Sequence, residues 1–278
     1  ERCCITLTIC GEDAARHQVS LSSSLPTRLC LYRLLYCSDS GFRPDACLPL
    51  DGPVSLPDAN IPSQKSQQFL LEAVSSPTDK PAVYRGVVRI SVDGIQKAVI
   101  PVAIRLHPVV LPAKPRFELS LNAYGSPARA ADLDPSTPAG IRMEHAFHVL
   151  AHEHRGTLTP LGYSHSGNVE PGYAPPTSGS GRQRHVTDWS SWDARFGGLL
   201  DGTLFRQTPR GAQPVTHLYL PFHEAWPEDI RQHYAYIPKT RDYPAVIVEH
   251  ALLAGPIEQM VSSDYASGIE AVVRDFGA

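Results

Sequence analysis

No cysteine occurs after Cys47, no stretch approaches the length of a membrane span, and neither sign of charge predominates. Each absence removes a class of protein. The 278 residues carry 25 Lys and Arg against 28 Asp and Glu, a net charge of −3 with a pI near 6.5. Nucleic-acid binders carry a basic face, so a polyanion partner is excluded. The nearest basic cluster, Arg182-Gln183-Arg184-His185, sits in a Gly/Ser-rich loop and reads as solvated. A helical span needs about 20 consecutive apolar residues, and none is present. The amino terminus lacks a charged-then-apolar leader and starts in strand-like sequence. The expectation is that an upstream segment precedes it, with an extracellular or periplasmic location favoured over a cytoplasmic one. Cys3, Cys4, Cys10, Cys30, Cys37 and Cys47 form no CxxC pair and have no histidine at zinc-ligand spacing, which excludes a zinc ribbon. Disulfides of an exported protein and free thiols in strands are both compatible with them. The chain has no GK[ST] phosphate loop. Gly162-Tyr163-Ser164-His165-Ser166 lacks the last glycine of a nucleophile elbow, and Gly179-Ser180-Gly181 lacks a third glycine. Nucleotide and serine-hydrolase chemistry lose their support, and no cofactor is expected.

What is present falls into two parts. CITLTIC (Cys4 to Cys10), RLCLYRLLY (Arg28 to Tyr36) and YRGVVRISV (Tyr84 to Val92) alternate apolar and polar residues with the period of half-buried strands. Asp93-Gly94 between two such runs predicts a hairpin, because both central turn positions need positive φ. Residues 38–68 are rich in Pro, Ser, Asp and Gly and read as surface loops. With no helical period before residue 112, residues 1–112 read as an antiparallel β-sandwich. Pro112 and Pro115 bracket a stiff link.

Beyond it, residues 113–278 read as α/β. FELSLNAY (Phe117 to Tyr124) is a strand. Thr137-Pro138 opens a helix running to Arg155, with Gly156 as left-handed cap, and TLTPLGY (Thr157 to Tyr163) is a second strand. A Pro/Gly/Ser loop over 168–185 reads as a lid or a disordered stretch. A helix containing Trp192 to Leu200 breaks at Asp201-Gly202, and Val215 to Phe222 is a third strand. The strand-helix repeat belongs to a parallel sheet. A (β/α)8-type barrel needs eight units, whereas this part supplies about three before a last helix over 257–276. The expectation is an apparently truncated barrel, or a smaller open α/β sheet.

Functional residues of such folds gather where strands end. That rule nominates Asn122 and Tyr124, Tyr163 and His165, and His223, Glu224 and Trp226, with Arg155 reaching inward from the last helical turn. Aromatic rings stack on the C–H faces of sugars while carboxylates and amides hold hydroxyls, so the set suits a carbohydrate. Glu224 beside Trp226 is the candidate catalytic carboxylate, in a setting that raises a carboxyl pKa. Its partner could be Asp188, Asp193, Asp201, Glu228 or Asp229. A rival set, His145, His148 and His152 with Glu144 and Glu153, lies on one helix. Met143, Ala146, Phe147 and Leu150 centre on the opposite face, so the histidines are expected to face solvent and no metal site is expected.

DWSSWDARFGGLLDGTLF, LYLPFHEAWP and HEHRGTLTPLGY together resemble relatives of the family 123 glycoside hydrolases, over about residues 80–278. The resemblance implies an amino-terminal β-sandwich followed by a (β/α)8 barrel. It also implies retaining hydrolysis of N-acetylgalactosaminides, with the substrate's acetamido group as nucleophile and an adjacent Asp-Glu pair. No Asp-Glu dipeptide occurs in this chain; the pair would be expected on a later strand, so either it is cut off or the chemistry differs, and Glu224 reads as a substrate-positioning group. The expected activity is a glycoside hydrolase-like action on, or binding of, a carbohydrate such as an N-acetylhexosaminide. The alternative is a non-catalytic carbohydrate-binding or structural protein.

Overall fold

A computed structural model of the chain describes residues 2–10, 17–23, 29–37, 43–50, 54–55, 64–92, 94–161, 169–179 and 183–219. The chain divides into two compact units, Glu1–Leu111 and Pro112–Ala278.

The first unit contains two four-stranded antiparallel sheets. One is ordered β1-β6-β3-β4, from Arg2–Cys10, Ser66–Val74, Leu29–Cys37 and Arg43–Leu50. The other is β5-β2-β7-β8, from Val54–Ser55, His17–Ser23, Val83–Val92 and Ile95–Arg105. Ile9, Leu31, Phe69 and Leu71 of the first sheet share one buried cluster with Val88 and Ile90 of the second. Two alternating faces thus close on a common core, as in a sandwich. Each such fully buried side chain contributes about 1.5–3 kcal/mol. The β7–β8 hairpin pairs Val92 with Ile95, and Gly94 takes φ +77°, as its turn demands.

Residues 38–68 depart from the loop expectation, since β4, β5 and the start of β6 lie there. β4 carries Pro44 and Pro49, which mark it as non-strand by composition. It is an edge strand paired only with β3, where a missing N–H costs little. All six cysteines are free thiols. Cys4 and Cys30 both register against Glu72, so a whole strand separates them. Two strand spacings, about 9.5 Å, exceed the roughly 7 Å between Cα atoms that a disulfide spans.

In the second unit, β9 (Ser120–Tyr124) and β10 (Thr157–Leu161) pair in parallel, Ser120 opposite Thr157 and Tyr124 opposite Leu161. Helix α1 (Pro138–Glu153) connects them. Thr137 Oγ1 accepts from the Gly140 N–H and Pro138 occupies the first turn, satisfying the helix start. The helix end differs from expectation: the left-handed residue is Arg155, at φ +64°, and not Gly156. Gly156 instead returns its N–H to the Ala151 carbonyl. A Cβ at Gly156 would lie 3.4 Å from both the Leu119 carbonyl and Leu121 Cδ1, so the glycine also serves close approach to β9.

Residues Ser190 to Leu200 are helical, with a π segment over Asp193–Gly197, and the run stops at Gly202 (φ +78°). Trp192, Phe196, Leu199, Leu200, Phe205 and Val215 pack there with Tyr173 and Val186. The expected third strand is not formed over 215–219, where the backbone joins no ladder; its remainder lies outside the described residues, as does the expected helix over 257–276. Val215 donates its N–H to the Leu199 carbonyl instead. Among the described residues the α/β part is one parallel β9-α1-β10 unit, with no closed barrel. The 168–185 loop is partly built in: Thr177–Ser178 (β11) pairs with His185–Val186 (β12), and Tyr173 is only 3% exposed.

The orientation of α1 reverses the expectation. Glu144, His148 and His152 are buried at 0, 2 and 3% exposure, while Phe147 and Leu150 are exposed at 41 and 52%. Part of this buried polar face finds partners, whereas His148 Nε2 and Glu144 Oε1 have none among the described residues. His152 stacks on Phe205 at 4.0 Å between ring centroids, donates Nε2–H to the Gln213 carbonyl (3.1 Å), and meets Thr208 Oγ1 through Nδ1 (3.1 Å). His145 Nε2–H donates to the Arg195 carbonyl at 2.7 Å. Neutral imidazole behaves here as a flat aromatic with one donor.

A pH dependence follows. Burial holds His148 and His152 at about 4, below their ordinary 6.5. In the unfolded chain both bind protons as pH falls below 6.5, whereas the folded chain resists until about 4. The stability from neutral burial is therefore complete above pH 6.5 and declines as pH falls toward 4. Urea titrations across this window should show unfolding coupled to uptake of up to about two protons. His148→Phe should reduce that uptake, and an unchanged slope would refute the assignment.

Candidate functional site

The carboxyl ends of β9 and β10 form the site, joined where the Gly125 N–H donates to the Leu161 carbonyl. Ser120, Asn122 and Tyr124 alternate onto one face of β9. Asn122 is exposed and its Oδ1 accepts from Ser120 Oγ at 3.1 Å. The Tyr124 ring is 82% exposed at the strand's end, an aromatic surface with no packing duty.

Two charged residues beside it were not anticipated. Arg129, in the 3-10 turn Pro127–Ala131, sends Nη2 and Nε to Glu170 Oε1 at 3.1 and 3.2 Å. A Cβ at Gly125 would lie 3.8 Å from that oxygen, so Glu170 abuts the end of β9. Gly125 takes φ +85°, which turns the chain sharply out of the strand. Glu170 Oε2 is buried without a hydrogen-bond partner among the described residues. Neither residue carries a local signal, because Glu170 lies in a proline-rich loop 41 positions from Arg129.

Beneath this rim a buried carboxylate ties both segments down. Glu144 Oε2 accepts from Ser126 Oγ and Arg195 Nη1, each at 2.7 Å, and from the Tyr173 hydroxyl. Ser126 caps the turn that bears Arg129, accepting from the Ala128 N–H at 3.2 Å. Tyr173 returns its N–H to the Glu170 carbonyl at 3.1 Å. Arg195 lies over the Tyr173 ring at 4.3 Å and bonds the Pro135 carbonyl. Burial, then the Glu144 charge, raises the Tyr173 pKa, so its hydroxyl stays a donor. Glu144 thus positions Arg129 and Glu170 without reaching the surface itself.

Of the residues nominated by strand ends, Tyr124 ends β9 at this rim, and Asn122 lies mid-strand, opposite Thr159. Arg155 is not at the rim: it precedes β10, at the amino-terminal end of the pair, and its Nη2 donates to the Pro112 carbonyl at 2.8 Å. Tyr163, His165, His223, Glu224 and Trp226 lie outside the described residues. Two candidate partner carboxylates hold turns instead. Asp188 accepts from the Ser190 N–H and hydroxyl, and Asp201 likewise from Thr203. The Ser190 N–H bond lowers the Asp188 pKa, which suits a cap and not a general acid. No group of three ligating side chains suited to a metal ion occurs among the described residues.

The chain matches no known protein-family signature and no curated protein. Its structure is similar to that of a family 123 glycoside hydrolase from Clostridium perfringens, studied for glycolipid glycan hydrolysis, at a TM-score of 0.53 and 12% identity. The likeness covers 99% of this chain and 52% of that one, so this chain spans about half the length of the protein it matches. It establishes a distant relation of fold.

Proposed function

We propose that the rim at the carboxyl ends of β9 and β10 binds a carbohydrate, and that the chain belongs to a glycoside hydrolase-like protein with a (β/α)8-type barrel. The observation that carries the reading is the exposed Tyr124 ring beside the Arg129–Glu170 pair. A flat apolar face next to paired charges complements a sugar ring and its hydroxyls. The parallel β9-α1-β10 unit and the likeness to a glycoside hydrolase support the barrel. Asn122 would hold a hydroxyl, with Tyr163, His165, His223, Glu224 and Trp226 completing the site.

A second reading, binding without cleavage, is favoured by the engagement of Glu170 with Arg129. Calorimetry with N-acetylhexosamines and assays on aryl N-acetylhexosaminides separate the two. Tyr124→Ala should weaken sugar binding about tenfold, the size of a lost stacking contact. Glu170→Gln should weaken it without unfolding the chain. Glu224→Gln should slow aryl release under the hydrolase reading, as loss of a positioning group does, and under the other should weaken sugar binding with no aryl release from either chain. Absence of any sugar binding, or binding indifferent to Tyr124→Ala, overturns both.

A further inference from the structure

At the opposite, amino-terminal end of the β9–β10 pair lies a cleft lined by Lys114, Glu118, His152, Arg155, Arg210 and Thr216, among others. Three of these side chains are cationic and one is a carboxylate. Two are locked by backbone bonds that leave donors over. Arg155 uses Nη2 on the Pro112 carbonyl. Arg210 uses Nε on the Ala113 carbonyl (3.0 Å) and Nη1 on the His152 carbonyl (3.0 Å). A guanidinium has five N–H donors, so each retains several for a ligand. Arg155 also stands at φ +64°, a conformation that disfavours any side chain, yet arginine occupies it and glycine follows. Burial, then the charge of Arg155, lowers the Arg210 pKa, with only Glu118 opposing, so the two guanidinium groups repel one another across the cleft.

We infer that this cleft binds a small tetrahedral oxyanion, phosphate or the terminal phosphate of a monoester. Size and charge select that class. The free space is about 80 Å³. One water takes about 10–15 Å³ by that measure, so the cleft holds a handful of heavy atoms and not a buried sugar ring or nucleotide. Guanidinium forks match the spacing of phosphate oxygens, and Lys114 adds a point charge. Thr157 and Thr216 line the same cleft, and a threonine hydroxyl can donate to an anion. The ligand neutralises the excess positive charge and bridges the 112–115 segment to the end of α1.

Calorimetry and thermal unfolding of the full chain test this, with inorganic phosphate and phenyl phosphate compared against sodium chloride at equal ionic strength. Phosphate should bind and raise the Tm beyond the chloride control. Lys114→Ala, which breaks no hydrogen bond among the described residues, should weaken binding about tenfold, as for one charge-assisted contact. Arg155→Gly should weaken it similarly while keeping the Tm without phosphate near that of the parent, because glycine suits the left-handed position. Phenyl phosphate binding as well as phosphate identifies a monoester end, and binding of phosphate alone identifies the free ion. Equal effects of chloride and phosphate, or binding that survives both substitutions, overturn the inference.

Discussion

Arg195→Met is expected to destabilise the carboxy-terminal unit by about 3–5 kcal/mol in urea unfolding, the cost of stranding a buried charge. The guanidinium is 1% exposed and the Glu144 carboxylate 0%, with 2.7 Å between Nη1 and Oε2. Removing Arg195 leaves Glu144 with only the Ser126 and Tyr173 hydroxyls as donors, and strips the Pro135 carbonyl of its bond. The paired variant Glu144→Leu/Arg195→Met removes both charges and should recover much of the loss, since apolar replacement of a buried pair is often neutral. Glu144→Leu alone should also loosen the rim, because it releases Ser126 and Tyr173 together. A loss below about 1 kcal/mol for Arg195→Met would place the pair in the class of solvated ion pairs and remove Glu144 as the hub.

The second large effect runs against helix propensity. Glycine to alanine within a helix ordinarily stabilises by about 1 kcal/mol. At Gly140 the new Cβ would lie 2.1 Å from the Asp134 carbonyl oxygen and 2.9 Å from Pro135 Cα. Both obstacles are backbone, and Pro135 is itself fixed through its carbonyl to Arg195. Gly140→Ala should therefore destabilise by about 3 kcal/mol, at the upper end of overpacking costs. Gly94→Ala is the contrast. There the Cβ meets nothing within 4 Å and only φ +77° opposes it, so a loss of about 1–2 kcal/mol is expected. If Gly140→Ala raises the Tm, the close approach of α1 to the 134–135 turn is wrong.

Both cases show where sequence reading succeeds. The Asp93-Gly94 turn, the Thr137-Pro138 helix start and the break at Asp201-Gly202 are local devices, each set by a few adjacent residues. They appear in the structure where the residues place them. Alternation in β1, β3 and β7 likewise needs only a two-residue period. β4 was illegible because its prolines signal loop unless one knows that the strand sits at a sheet edge.

The candidate site was legible in part. Tyr124 closes β9, where the pattern of the strand places it, and Asn122 lies two residues earlier on the same face. Arg129 and Glu170 were missed because 41 positions separate them and neither sits in a motif. Arg155 stands at the amino-terminal end of the pair, although a cation in the last helical turn reads as reaching the rim. In a βαβ unit the chain returns to the amino-terminal edge before the next strand starts, and Arg155 precedes β10.

By itself, then, the sequence determined the strands with clear alternation and the turn and cap positions, all governed by contacts between near neighbours, while the strand-helix-strand order implied the parallel pairing of β9 with β10. Tertiary structure alone decided which face of α1 is buried. Glu144 draws its donors from residues 18, 29 and 51 positions away, and His152 finds its hydrogen-bond partners 56 and 61 positions away. Hydrophobic periodicity counts apolar side chains on one helix. Whether a carboxylate and an imidazole such as Glu144 and His152 can be buried depends on partners supplied from elsewhere, and those partners exist only once the chain has folded.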